Sequence, residues 1–313
     1  MKRAIIIICL LGTVALGGAF TETKPTKESL GKALFFDPIL SEDSSISCAS
    51  CHKPDFAFAD TSQFSVGVHG RLGNRNTPSA MNVSSRSSFF WDGRAATLAE
   101  QALMPIANPD EMNLPVEEAV KRLNKSNKYR SLFYKVFGKY PDAHTLGTAI
   151  AAYEETLETS NTPNDRWMND EPNGMTAQQE RGREIFRTKG KCLECHFTLD
   201  FTGDEFRAIG LFNGKNYNDS ARYHVTKNRE DIGKVKVPGL RNVAVTAPYM
   251  HNGSFKTLRE VIDYYDNPSA MLPDGMYRDS LLREPLHLTE GEKQDLEAFL
   301  HALTDDTFIK VKR

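Results

Sequence analysis

The sequence predicts an all-α protein built from two related halves with long loops between the helices. Three observations predict it. The pentapeptide Cys48-Ala49-Ser50-Cys51-His52 recurs as Cys192-Leu193-Glu194-Cys195-His196. Each copy follows a segment with Gly-x-x-x-Phe spacing, at 31–35 and 182–186, with a glutamate just ahead (Glu28, Glu180). Strand-like alternation of apolar and polar residues is scarce elsewhere.

The repeated pentapeptide carries the chemistry. C-x-x-C-H is the attachment pattern of a c-type haem. Each thiol can form a thioether with one edge of the porphyrin, and the adjacent imidazole then ligates the iron. With 5 Cys and 8 His in 313 residues, chance would supply about 0.002 copies of the pattern. A redox dithiol does not explain a His in the same place twice. A zinc site needs four neighbouring ligands, and the clusters lie far apart, at 48–52 and 192–196. The expectation is two cytochrome c-like domains with one covalent haem each. Cys48, Cys51, Cys192 and Cys195 would attach the haems, and His52 and His196 would be their proximal ligands.

The ends and the charge agree with that chemistry. Residues 1–19 read as a cleavable secretory signal: Lys2 and Arg3, the apolar run Ala4–Leu16, then small residues to Ala19. Haem attachment to this motif takes place outside the cytoplasmic membrane, so the expected location is the periplasm. An uncleaved anchor is the rival, but Ala4–Phe20 falls short of the ~20 residues that span a bilayer. Cys9 would leave with the signal. The chain carries 39 Lys and Arg against 41 Asp and Glu, net −2, which gives no electrostatic footprint for nucleic acid.

The elements follow in order. Residues 20–160 form the first domain, 161–174 the linker and 175–313 the second domain, whose C-terminal helix is free to pack on the first. Short helices over 27–36 and 177–186 enter each half, the second with Thr176 as N-cap and Gln179 as capping-box partner. Val116–Phe137 and Ala143–Leu157 read as amphipathic helices, with Pro115 and Pro141 near their starts. Thr159–Gly174 is rich in Asn, Asp, Pro and Thr, as a linker should be. The segment Leu211–Asp231 reads as a surface loop, and Thr257–Tyr265 and Thr289–Leu303 as helices. Loops this long suit a fold whose interior is filled by haem.

Three segments follow the first motif: Gly67-Val68-His69-Gly70, Arg75-Asn76-Thr77-Pro78-Ser79 and Phe89-Phe90-Trp91-Asp92-Gly93-Arg94. With Leu34-Phe35-Phe36-Asp37, Leu240-Arg241-Asn242-Val243 and Ala247-Pro248-Tyr249-Met250-His251-Asn252-Gly253, they make the chain resemble the bacterial dihaem cytochrome c peroxidases, including their MauG-like branch. The resemblance covers nearly all of the chain after the leader. It implies that His52 is proximal to a peroxidatic haem and that His69 is a distal ligand that must leave before peroxide binds. It places Trp91 between the haems and Gln101, Pro105 and Glu111 in the distal pocket, with Glu111 as acid/base. It assigns Asn76, Thr246 and Pro248 to a calcium ion between the domains, and it implies a homodimer. From the residues alone Glu111 also reads as solvated surface, His69 as an unliganded loop residue and Trp91 as ordinary core. Arg94 reads as a partner of either a haem propionate or Asp92.

In the peroxidases proper a Met completes the second iron. This chain has Tyr265 at that place, as the MauG-like enzymes do. A thioether raises the potential of a haem, whereas a phenolate favours the ferric or higher states. Tyr264 and Tyr265 also read as packing aromatics, with Met250, Met271 or Met276 as alternative ligands and His224 and His251 as further candidates. Three functions are open. The first is a periplasmic peroxidase reducing hydrogen peroxide with electrons from a small cytochrome c or copper protein. The second is a MauG-like oxidase of a protein or small molecule, and the third a non-catalytic electron carrier.

Overall fold

The computed structural model describes residues 24–308. The expected signal segment lies outside them. Twelve α-helices are present among these residues: α1 Lys27–Phe36, α2 Cys48–Cys51, α3 Leu98–Ala107, α4 Val116–Lys125, α5 Asn127–Phe137, α6 Ala143–Glu154, α7 Pro163–Met168, α8 Ala177–Arg187, α9 Tyr223–Thr226, α10 Leu258–Asp266, α11 Pro268–Met271 and α12 Glu290–His301. A single antiparallel pair, β1 Phe206–Ala208 and β2 Lys234–Lys236, sets Phe206 opposite Lys236. No helix among the described residues is long and apolar enough to cross a membrane.

Local chemistry starts these helices where the sequence signals them. Thr176 and Gln179 form a reciprocal capping box at α8. Thr97 with Glu100, and Thr257 with Glu260, do the same at α3 and α10, satisfying backbone N–H groups that a helix start leaves free. Three expectations need correction. The stretch Val116–Phe137 is two helices, because Ser126 leaves helical geometry and its hydroxyl caps α5, the competition that serine offers a helical backbone. The linker contains α7, started by a Thr162–Asp165 capping box and Pro163 at the first turn. It docks through the Asn164 N–H on the Ala302 carbonyl (3.1 Å). The 211–231 loop is not all surface, since Leu211, Asn213 and Ala221 are buried.

Two cores form by one plan. In the first, α1 crosses α6 and Phe35 meets Phe58 and Tyr153 at ring separations of 6.0 and 5.2 Å. In the second, α8 crosses α12 and Phe186 meets Phe201 and Phe299 at 6.0 and 5.2 Å. The C-terminal helix therefore packs within the second core and not on the first. Gly31 and Gly182 permit these crossings. A methyl group on them would lie 1.8 Å from the Ala149 carbonyl oxygen and 1.9 Å from that of Asp295. Gly31→Ala should cost about 1–3 kcal/mol through forced separation of α1 and α6, read by denaturant unfolding. Gly291→Ala, with open space around it, should be neutral or slightly stabilising. Equal effects at the two glycines would contradict the close-crossing account.

The duplication runs further than the motifs. Asn82 and Asn242 both adopt left-handed backbone (φ 53 and 62), as do Phe90 and Met250 (φ 67 and 71). The Asn82 N–H donates to Leu157 O and the Asn242 N–H to Leu303 O, each at 2.8 Å. The caps Thr97 and Thr257 share φ −131 and ψ 155. Trp91 thus corresponds to His251, Pro105 to Tyr265 and Glu154 to Leu300.

Candidate functional site

Each C-x-x-C-H motif opens onto its own cavity. The first, of about 510 Å³, is lined by Cys48, Cys51 and His52. The second, of about 220 Å³, is lined by Cys192, Cys195 and His196. All four cysteines are free thiols. His52 Nδ1 lies 2.9 Å from Phe58 O, and His196 Nδ1 lies 2.6 Å from Phe201 O. A carbonyl only accepts, so Nδ1 carries the proton and Nε2 keeps its lone pair. That is the tautomer a metal-ligating imidazole needs, fixed by a hydrogen bond from its other ring nitrogen. Burial depresses both histidines, His196 to about 4, and holds them neutral, the form that binds metal. Paired thiols, oriented neutral imidazoles and roomy, largely apolar walls fit a covalent haem in each cavity.

The first cavity collects the expected distal residues. Gln101, Pro105 and Glu111 share its wall with Trp91 and Arg94. Glu111 is half-buried, and Asn108 Nδ2 donates to its Oε1 at 2.7 Å. Burial raises the carboxyl above its ordinary range, opposed by the Asn108 bond and the Arg94 charge. Its backbone is held from the opposite loop. The Val68 N–H donates to Glu111 O at 2.8 Å, and Gly67 packs so closely that a methyl there would lie 2.5 Å from the same oxygen. Arg94 bonds Asp92 at 3.0 Å and stacks on Phe90. His69 turns away from the cavity: its side chain is 50% exposed and Nε2 lies 2.9 Å from Glu42 Oε2.

Tyr265 lines the second cavity, half-buried, with the thiols of its own motif, and desolvation pushes its phenol up. Met271 and Met276 are each 45% exposed and do not line this wall. Met250 and His251 do line it. Tyr264 donates to Ile209 O at 2.6 Å and so serves packing. His224 is exposed and bonds Ser220.

The partition between the cavities has two-fold character. Trp91 lines both cavities, and its Nε1–H donates to Asn76 O at 2.8 Å. The Asn76 N–H donates to His251 O at 2.7 Å, and the Lys236 N–H donates to Trp91 O at 2.8 Å. Each half thus hands one bond to the other at corresponding positions. Arg75 locks the halves by pairing with Asp92 at 2.6 Å and with Asp219 at 2.7 Å. Asn76, Thr246 and Pro248 all line the second cavity. The Asn76 amide faces the carbonyl oxygens of Ser62 and Gln63 at 3.2 and 3.3 Å. Calcium takes amide and carbonyl oxygens, whereas here the Asn76 amide nitrogen is the atom turned toward these carbonyls.

Sequence reading missed Lys236, Asp219 and Glu154. The signal for Lys236 was present: Asn76-Thr77-Pro78-Ser79-Ala80-Met81-Asn82-Val83 corresponds to Lys236-Val237-Pro238-Gly239-Leu240-Arg241-Asn242-Val243.

The comparisons agree with this geometry. A family model described as di-haem cytochrome c peroxidase matches residues 25–173. The chain is 38% identical over 285 residues to the methylamine utilization protein MauG of Methylorubrum extorquens, covering 89% of this chain and 78% of that one. It is 37% identical over 287 residues to the cytochrome c peroxidase Ccp of Escherichia coli, covering 90% of this chain but only 58% of that longer protein. A crystal structure of a MauG-like protein associated with microbial copper homeostasis superposes with a TM-score of 0.82 at 29% identity, over 91% of each chain. With both haem-attachment motifs opening onto cavities and this similarity running nearly end to end, the chain belongs to the di-haem cytochrome c peroxidase family.

Proposed function

We propose that this protein reduces hydrogen peroxide to water in its first cavity, with two electrons from a small cytochrome c or copper protein entering through the second. The carrying observation is Glu111: a half-buried carboxyl, raised by burial, in one cavity with His52. When bound, haem supplies the iron that accepts peroxide and stores oxidising equivalents. The residues do the rest. Glu111 takes the proton from one peroxide oxygen and delivers it to the other, and two further protons from solvent complete two waters. Gln101 offers an amide to the same space, and Trp91 bridges the two cavities. A non-catalytic carrier would have no use for a raised carboxyl there. The MauG-like reading is favoured by one observation: position 265, the counterpart of Pro105, is a half-buried Tyr lining the second cavity. Export to the periplasm fits the leader and the attachment chemistry, and assembly as a homodimer belongs to the same reading.

The test is a pyridine haemochrome count with a peroxide-reduction assay. Two haems that resist acid-acetone extraction, with turnover on a reduced small cytochrome, are expected. A count of one, or extractable haem, sinks the dihaem reading. If Asn76 helps hold calcium between the halves, chelation should lower activity and added calcium restore it. Metal analysis finding no calcium, with activity indifferent to chelator, would remove that site.

A further inference from the structure

Several buried ionisable groups take no part in the proposed reaction, and among them Glu154 lacks a hydrogen-bond partner on a carboxyl oxygen. Glu154, at the end of α6, is 6% exposed, and its Oε2 has no hydrogen-bond partner. It lines the first cavity with Ile150, one turn before it. The duplication shows how unusual this is. Ile150 and Glu154 correspond to Leu296 and Leu300, which line the second cavity. The correspondence is fixed by the paired glycine crossings at Ala149 and Asp295, and by the paired bonds to Leu157 and Leu303. A position that one half fills with leucine carries a carboxyl in the other. An unpaired carboxyl in such a place is costly, and the apolar solution was available.

The ionisable groups facing Glu154 are Glu155 and Tyr153 on its own helix and Cys48 from α2, which also feels Glu111. None is a cation. Once Cys48 is a thioether it carries no charge, and a haem held in this cavity would bring a charge that changes with its oxidation state. Burial and Glu155 push the carboxyl up to about 8, so it can exchange a proton near neutrality.

We propose that Glu154 is a redox-linked proton site of the first haem, binding one proton when that haem gains one electron and releasing it when the electron leaves. The electron comes from the small redox protein, the proton from solvent, and the net charge of the cavity stays constant. The second half, with Leu300, lacks this device, so only one of the two haems should respond to pH in this way.

The experiment is potentiometric titration of the haem-loaded full chain across pH, for the unmodified protein, Glu154→Gln and Glu154→Leu. The first haem's midpoint potential should fall as pH rises through neutrality, because an ionised Glu154 favours the oxidised haem. Both variants should lose that slope, while the second haem's pH response stays unchanged. Reduced-minus-oxidised infrared spectra should show a carboxylic acid carbonyl band that disappears in Glu154→Gln, which keeps the side-chain shape if the leucine variant misfolds. A slope that persists in the Gln variant, or that is lost instead in Glu111→Gln, overturns the proposal. The inference rests on a haem in the first cavity. A haemochrome count below two fails that reading, whereas two haems with unaltered slopes fail only this one.

Discussion

Glu111→Gln should retain both haems and their resting spectra while peroxide turnover falls by ~10² to 10⁴. The amide keeps the size and planarity of the carboxyl and can still bond Asn108, which holds Glu111 Oε1 at 2.7 Å. What it loses is the capacity to accept a proton and return it. The loss should appear in the rate of the peroxide reaction and not in haem content, because Glu111 attaches nothing. Unchanged turnover would show Glu111 to be a bystander. Gly67→Ala makes a complementary case. Its methyl would lie 2.2 Å from Asp110 O and 2.5 Å from Glu111 O, so the backbone carrying the carboxyl must shift while the carboxyl itself survives. Turnover should fall with the proton-transfer group intact, and the pH profile, still set by a glutamate, should keep its shape while its height drops.

The raised state of Glu111 also fixes a direction for pH. Burial lifts its folded-state ionisation above the unfolded value. The stability it contributes is therefore fully present below the unfolded pKa and is lost as pH rises through the folded one. The same burial that strengthens its hold on a proton makes its ionised form a mild liability to the fold.

How much of this could be read in the sequence depended on range. The haem motifs were legible because five adjacent residues carry them. The Thr176–Gln179 cap was legible because a capping box closes within four residues. Ser126 was not, since an amphipathic pattern continues across it and only the cap geometry breaks the helix. The burial of Glu111 was hidden because its cover, Gly67 and Val68, comes from a loop more than forty residues away. The wider duplication was hidden for another reason. Phe90 with Met250, and Trp91 with His251, share backbone conformation and place but not chemistry. Backbone geometry can be held by a few positions such as Gly93 and Gly253 while the others drift. His69, which the resemblance made a distal ligand and the residues alone left open, has its ring against Glu42, half in solvent.

Tyr265→Met should convert the second haem to a thioether-ligated centre. The corresponding residue of the first half, Pro105, lines the first cavity on the wall that carries Gln101 and Glu111, and Tyr265 lines the second cavity with His196. Neither Met271 nor Met276 reaches that wall, each being 45% exposed, so a methionine at 265 would meet no internal competitor from them. The unmodified protein should lack the near-infrared sulfur-to-iron band of a His/Met haem, and the variant should gain it. If the Tyr265 phenolate is the ligand, the second haem's potential should rise, because an anionic oxygen donor is then replaced by a neutral sulfur. The variant should then behave as a peroxidase whose second haem is reduced first and stores an electron for the first. Tyr265→Phe supplies the contrast, since it removes the phenol oxygen without adding sulfur and should leave the band absent. A sulfur-to-iron band already present in the unmodified protein would exclude Tyr265 as the ligand and point to Met250, the one methionine on that wall, or to rearrangement of the 267–278 loop.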